Sequence, residues 1–436
     1  MNRAIFQTIR RCTATLIVML AAASAATGQA ADQAQAGAGT ADTASGAAGT
    51  SSDDNPFDIG GFDQSVQTSI NGPDSAKTEY LVGGSVLVEA QAYSPGSFDA
   101  YLAESSTQGT VFAKVSVPDY GSLYASFAFS HPFFQGNGGY ASAAPFGPAD
   151  LSTISFSLAE LHYSFDIAKT LFVRIGDQLI AWGPSKIWTP VDFVNLEHSN
   201  PFQSVDTRLG KSGVRLHLPF SSSNVFLFAD LSQSVTGGVV HDLGSTTRAA
   251  ARYDITLGDF EFGFSGLAGK EVQGRGGFDL SGRLLGSTLY GEAVYAPAYA
   301  SYASSWSASL GFERTLDELK RWTLSGEFYY QSNGGDYSGQ TTVMESLPPL
   351  YMGAYYAYGA IEADKLGSSY LTTTLSVLSN LSDGSYTIKA REDFAFPRSV
   401  PFSMSLSYYG GGADKELTLL SGNNSLGLSL QALLQF

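Results

Sequence analysis

From Tyr80 to the C-terminus the chain is a succession of segments in which large apolar side chains occupy every second position. Phe260, Phe262 and Phe264 alternate with Glu261, Gly263 and Ser265, and Trp306, Ala308, Leu310 and Phe312 alternate with Ser307, Ser309, Gly311 and Glu313. Phe402, Met404, Leu406 and Tyr408 repeat the pattern against Ser403, Ser405, Ser407 and Tyr409. A period of two is the signature of a strand with unlike faces. A soluble sandwich would alternate in the same way, but here the polar face is made of Ser, Gly, Thr and isolated charges. That suits an aqueous lumen, with the apolar face turned to lipid.

Connections alternate between short and long. Turns at 118–121, 166–169, 219–223, 258–259 and 286–287 carry Gly, Pro, Asp and Ser, the residues that tight turns favour. Longer stretches fall near 93–109, 130–153, 182–210, 232–246, 269–276, 296–304 and 332–367. Strands are expected to begin near 80, 110, 121, 155, 170, 211, 224, 247, 259, 277, 287, 305, 321, 368, 384, 401, 415 and 425. The expected fold is therefore all-β, a transmembrane antiparallel up-and-down barrel of about 18 strands, with 16 as the alternative.

Composition agrees with this. The 436 residues include 23 Tyr and 28 Phe, whereas only 15% are charged, below the roughly 25% of a soluble domain. Arg3, Arg10 and Arg11 precede the apolar run Leu16 to Ala23, and small residues follow, so residues 1–30 read as a secretory signal peptide. Residues 31–79 read as a flexible periplasmic segment, and 80–436 as the barrel. Removing 1–30 takes away three arginines and no acids, moving the formal charge from −16 to −19. Such a chain is a poor nucleic-acid binder. The single cysteine, Cys12, lies in the leader, so neither disulfides nor thiol chemistry are expected of the mature protein.

The strand Leu171 to Gln178 stands out because it feeds a long loop dense in Pro, Trp, Asp and Asn. Arg174 and Gln178 share its polar face, about 13 Å apart, with Gly176 between them where a neighbour can approach closely. Arg215 extends the stripe on the next strand, flanked in phase by Lys211 and His217. With Glu160, Arg252 and the loop residue Asp192 these make the candidate lumen and constriction set. Asp192 fits loop architecture as well as it fits solute contact. Charges of both signs line the polar face: Asp254, Asp279, Glu292, Glu313 and Glu327 against Lys114, Arg283, Lys389 and Arg391. Such a wall either screens solutes in an open pore or pairs internally in a closed one. Trp182 fits the external aromatic girdle.

Neither His162 nor His217 accompanies a G-x-S-x-G nucleophile motif, and there is no zinc-ligand spacing or D-x-D-x-D-G calcium loop. No enzymatic activity, cofactor or metal is expected.

Two resemblances add to this. The last strand, Leu426, Leu428, Leu430, Ala432, Leu434 and Phe436 on one face, resembles the terminal signal of outer-membrane barrels, which implies recognition by the barrel-insertion machinery. Arg174, Gly176, Gln178, Trp182-Gly183, Pro190, Asp192 and Asn195 resemble the R-x-G-x-Q, W-G, P-x-D-x-x-N pattern of bacterial porin-like families, among them DUF1302-like, carbohydrate-selective and substrate-exporting outer-membrane proteins. It implies a channel whose loop after this strand folds inward. The leading expectation is passive diffusion of small hydrophilic solutes through the outer membrane of a diderm bacterium, in contact with its lipid, and a homo-oligomer is one assembly such a barrel permits. The alternative is a closed barrel serving as a surface adhesin or structural protein.

Overall fold

The computed structural model describes residues 78–94, 101–138, 154–195, 208–232, 235–236, 239–240, 247–269, 272–300, 302–317, 321–335, 350–365, 370–396, 400–413, 415–419 and 421–436. Residues 1–30, expected from the sequence to be a leader, and nearly all of segment 31–79 lie outside them.

The strands are β1 Glu79–Ser94, β2 Tyr101–Val117, β3 Gly121–Gly138, β4 Ser155–Ile167, β5 Leu171–Gln178, β6 Lys211–Pro219 and β7 Ser223–Asp230. A two-stranded ribbon, β8 Val235–Thr236 and β9 Val239–Val240, stands apart. Then come β10 Arg248–Leu257, β11 Phe260–Gly269, β12 Arg275–Leu284, β13 Ser287–Ala296, β14 Ser305–Thr315, β15 Trp322–Gln331, β16 Tyr355–Asp364, β17 Leu371–Asn380, β18 Ser385–Phe394, β19 Phe402–Gly410 and β20 Leu426–Gln435. A helical turn, α1 Glu416–Leu419, lies before β20.

Leaving out the ribbon, the strands form one 18-stranded sheet in which sequence neighbours pair antiparallel. The sheet closes because β1 pairs with β2 on one side and β20 on the other, Val86 lying opposite Leu434. Closure removes both sheet edges, as lipid requires of any strand structure. At the seam, Glu89 accepts hydrogen bonds from Gln431 at 2.7 Å and Ser429 at 3.2 Å. Phe436 exchanges both backbone bonds with Gly84.

The outward set is apolar and exposed, with Leu310, Leu406 and Phe264 at 64%, 56% and 49%. The inward set holds the buried polar groups, including Lys114, Arg252, Asp279, Glu292 and Glu327. Only a bilayer makes that inversion stable, since a soluble fold would bury the Leu and Phe row. The described residues thus form a membrane-spanning barrel of the outer-membrane type. Both barrel termini and the short turns after β2, β4, β6, β10, β12 and β14 share one end, which in such barrels faces the periplasm, and the longest connections share the other, together with the four-residue turn between β17 and β18.

The expected strand total holds through two compensating differences. The strand expected near 415 is a loop carrying α1, and β16 lies inside the 332–367 stretch expected to be loop. YYAYGAIEAD alternates large and small rather than apolar and polar, which hides its period, whereas ELTL is apolar enough to pass for strand. β2 begins at Tyr101 rather than near 110, because its outer half carries Ser and Thr on both faces.

Trp182 is also placed differently from the sequence expectation. It is buried at 7% exposure and meets Phe193 edge-on inside the barrel. The girdle positions belong to Trp306, beside Tyr295 at 4.5 Å, and to Trp322 at the periplasmic end.

Candidate channel constriction

The segment Leu179 to Asn195 leaves β5, crosses the lumen and meets the far wall. Its backbone has no strand partner, so its N–H groups must be satisfied otherwise, and wall glutamates supply the acceptors. Glu160 on β4 accepts from Leu179 N–H at 2.5 Å. Glu292 on β13 accepts from Ser185 N–H at 2.8 Å and Val191 N–H at 2.9 Å. Glu327 on β15 accepts from Trp188 N–H at 2.7 Å, Lys186 N–H at 3.1 Å and Ile187 N–H at 3.3 Å. Charge-assisted bonds of this kind contribute about 1.5–3 kcal/mol each. Gly183 permits the Glu292 clamp: its φ is +96°, and a Cβ would overlap the Glu292 carboxylate. Any side chain at 183 would displace the anchor.

Apolar contacts complete the docking. Ile180, Trp182, Val191, Phe193 and Val194 pack against Phe228, Ala250, Leu267 and Val294 of the wall. Gly277 lies on the same wall, where a Cβ would stand 3.1 Å from the Phe193 ring. The loop therefore fills the lumen along β7 and β10–β13. Its tip inserts Trp188, fully buried, parallel to Tyr329 at 5.7 Å and beside Tyr356, and the indole N–H donates to the Leu350 carbonyl at 3.1 Å.

Above the tip, α1 ties three external connections together. Glu416 accepts from Leu350 N–H at 2.6 Å, from Asn380 Nδ2 at 2.6 Å and from the Tyr356 hydroxyl at 2.5 Å, and its own N–H donates to Asp383. Burial pushes the Glu416 carboxyl above the usual range, against the pull of those hydrogen bonds. A raised acid contributes its stabilisation below the ordinary carboxyl value, near about 4.3, and loses it as pH rises through the raised value. Current noise from cap movements is expected to fall as pH is lowered through that raised value toward the ordinary carboxyl range. That dependence should vanish in Glu416→Gln; noise in the variant that still falls on acidification would show that another group titrates.

The six sequence-derived candidates fall into two groups. Arg174 and Arg215 stand directly opposite one another in the β5–β6 register, half-buried, with Arg174 Nε on Ser164 at 3.1 Å and Arg215 over the Phe226 ring at 5.0 Å. Gly176 does admit a close approach, the Leu161 carbonyl and His162 Cα occupying the space a Cβ would need. Gln178, Arg252 and Asp192 are buried with protein partners. Gln178 reaches the Gly213 carbonyl at 3.5 Å. Arg252 takes Asp279 bidentately at 2.6 and 2.9 Å and Asp254 at 2.8 Å, and Asp192 pairs with Arg208 at 2.8 Å. Glu160 caps the loop's first residue. Glu292, Glu327 and Glu416 were outside the candidate set; the first two are legible as polar-face acids, but no short-range signal joins them to a loop more than a hundred residues away.

Solved structures share this architecture at low sequence identity. Pseudomonas aeruginosa OccK2 (OpdF), solved in complex with glucuronate, matches with a TM-score of 0.53 at 11% identity, covering 83% of this chain and 96% of that one. The outer membrane protein opdK of Pseudomonas aeruginosa matches at 0.52 and 11%, covering 82% and 99%. A BenF-like porin from Pseudomonas fluorescens Pf-5 matches at 0.51 and 12%, covering 83% and 98%. The chain folds as a porin-like barrel. No protein-family model and no curated protein matches it.

Within this porin-like barrel, strand order sets two unlike walls against each other. Lys114, Arg174 and Arg215 project from β2, β5 and β6, while Glu313 and Glu362 project from β14 and β16, close to half-way round the ring. Lys114, Arg174, Glu313 and Glu362 lie in the periplasmic half of their strands, and Arg215 at the middle of β6.

Proposed function

We propose that this protein is a passive outer-membrane channel for small hydrophilic solutes in a diderm bacterium, narrowed by the inward loop 179–195. The observation that carries the reading is that loop's placement: its peptide groups are clamped to Glu292 and Glu327 deep inside the barrel, and it covers only part of the wall. The remaining inward surface, on β17–β20 and β1–β5, carries the half-buried Ser376, Ser429, Thr110 and Arg174, groups that can replace a solute's water. Diffusion down a gradient needs neither cofactor nor energy input. In this reading residues 1–30 are the export signal, 31–79 a periplasmic segment, and the strand ending at Phe436 the element read by the insertion machinery. Arg174, Arg215 and the acids opposite them would act on permeating charge through the transverse field.

Folded protein in planar bilayers is expected to give discrete ohmic conductance steps. Silent bilayers from protein that shows heat-modifiable migration would overturn the channel and favour a closed barrel with an adhesive or structural role.

A further inference from the structure

The loop Leu179–Asn195 contains two charged residues, Lys186 and Asp192. Asp192 is buried and paired with Arg208. Lys186 differs in every respect. Its peptide N–H is fixed by Glu327, which sets the residue's position, while its side chain is 54% exposed and reaches Glu313 Oε2 at 2.5 Å. Glu313 is itself a third exposed and sits two residues from the periplasmic end of β14. The Lys186 side chain therefore emerges from the periplasmic face of the docked loop into open lumen. Glu362, on the inward face of β16, lies within electrostatic reach of both Lys186 and Glu313.

From this geometry we infer that Lys186 and Glu313 form the charge filter of the channel: one ammonium carried by the constriction loop, set against a carboxylate of the acidic wall. The inference rests on the channel reading and adds which pair sets ion preference. The pair is solvated, so its mutual attraction is weak and screened, and either charge can interact with a passing ion instead. The backbone anchor matters here. An exposed lysine on an unrestrained loop would carry little positional information, whereas this one is held by three N–H bonds on consecutive residues to a single carboxylate.

The test is the reversal potential of single channels in a KCl gradient. Lys186→Gln leaves Glu313 and Glu362 uncompensated and is expected to move the permeability ratio toward cations by about five-fold, the factor one unit charge at about 4 Å supplies in bulk water. Glu313→Gln should move it toward anions, and the double variant should return near wild type. All shifts should shrink at high salt. A second route avoids loss of the pair during folding: the only native cysteine is Cys12, so Lys186→Cys can be labelled in the open channel with an anionic or a cationic thiol reagent, which should shift selectivity in opposite directions. Unchanged reversal potentials in both single variants and no response to labelling, in channels of normal conductance, would overturn the filter and leave the channel reading intact. Absence of conductance in wild type would overturn the channel itself.

Discussion

Glu327→Ala is expected to raise single-channel conductance and to make the current noisy. The Glu327 carboxylate receives three consecutive N–H groups of the inward loop and the Tyr290 hydroxyl at 3.2 Å. Removing it leaves buried donors without acceptors, at about 1–3 kcal/mol for each that water cannot reach. The 18-stranded wall keeps its own ladder bonds, so the penalty falls on the loop and not on the barrel. The loop then has a cheaper state away from the wall, with its N–H groups hydrated. Glu327→Gln separates charge from geometry: its one carbonyl oxygen can accept from Trp188 and Ile187, but the amide NH2 opposes the Lys186 N–H, so an intermediate conductance is expected. Protease added from the external side should cut the Ala variant near 182–195 and spare wild type. Wild-type conductance and protection in Glu327→Ala would mean that the apolar contacts alone hold the loop.

The contrast between wall and loop also explains what the sequence makes legible. A strand's period of two is a local property: Phe260 to Ser265 reveal their faces with no knowledge of any neighbour, and antiparallel neighbours joined by short turns then fix the order of the ring. Where the local signal weakens, the reading shifts. β16 escapes because tyrosine and alanine alternate by size, and α1 passes for strand because Leu417, Thr418 and Leu419 follow a turn. The inward course of the loop is implied only through the resemblance carried by Trp182-Gly183 and its neighbours. The structure supplies the physical reason for one part of that pattern, since Gly183 leaves room for the Glu292 carboxylate. The anchors themselves pair residues such as Trp188 and Glu327 across most of the barrel, and nothing in the spacing of either segment encodes that pairing. For the same reason Arg252 looks like a lumen charge by its period, although the strand-to-strand register gives it Asp254 and Asp279 as partners.

Trp188→Ala is expected to uncouple the loop from the external cap. Among the described residues the indole is the largest fully buried side chain, sandwiched by Tyr329 and Tyr356 and covered by Leu350 and Leu417. Truncating such a ring costs about 3–5 kcal/mol, and here the cavity would open at the junction of three external connections. The two halves of the cluster have different supports. The loop below keeps its Glu292 and Glu327 clamps, while the cap above depends on Glu416 and on packing against the ring. Cap movements should therefore increase, read as brief conductance fluctuations, while mean conductance changes less than in Glu327→Ala. Trp188→Phe retains the stack and loses only the N–H donated to Leu350, so it should fluctuate less than the Ala variant. If Trp188→Ala instead reproduced the large, steady conductance of Glu327→Ala, the ring rather than the carboxylate would be the principal anchor, and the backbone clamps would be a consequence of its insertion.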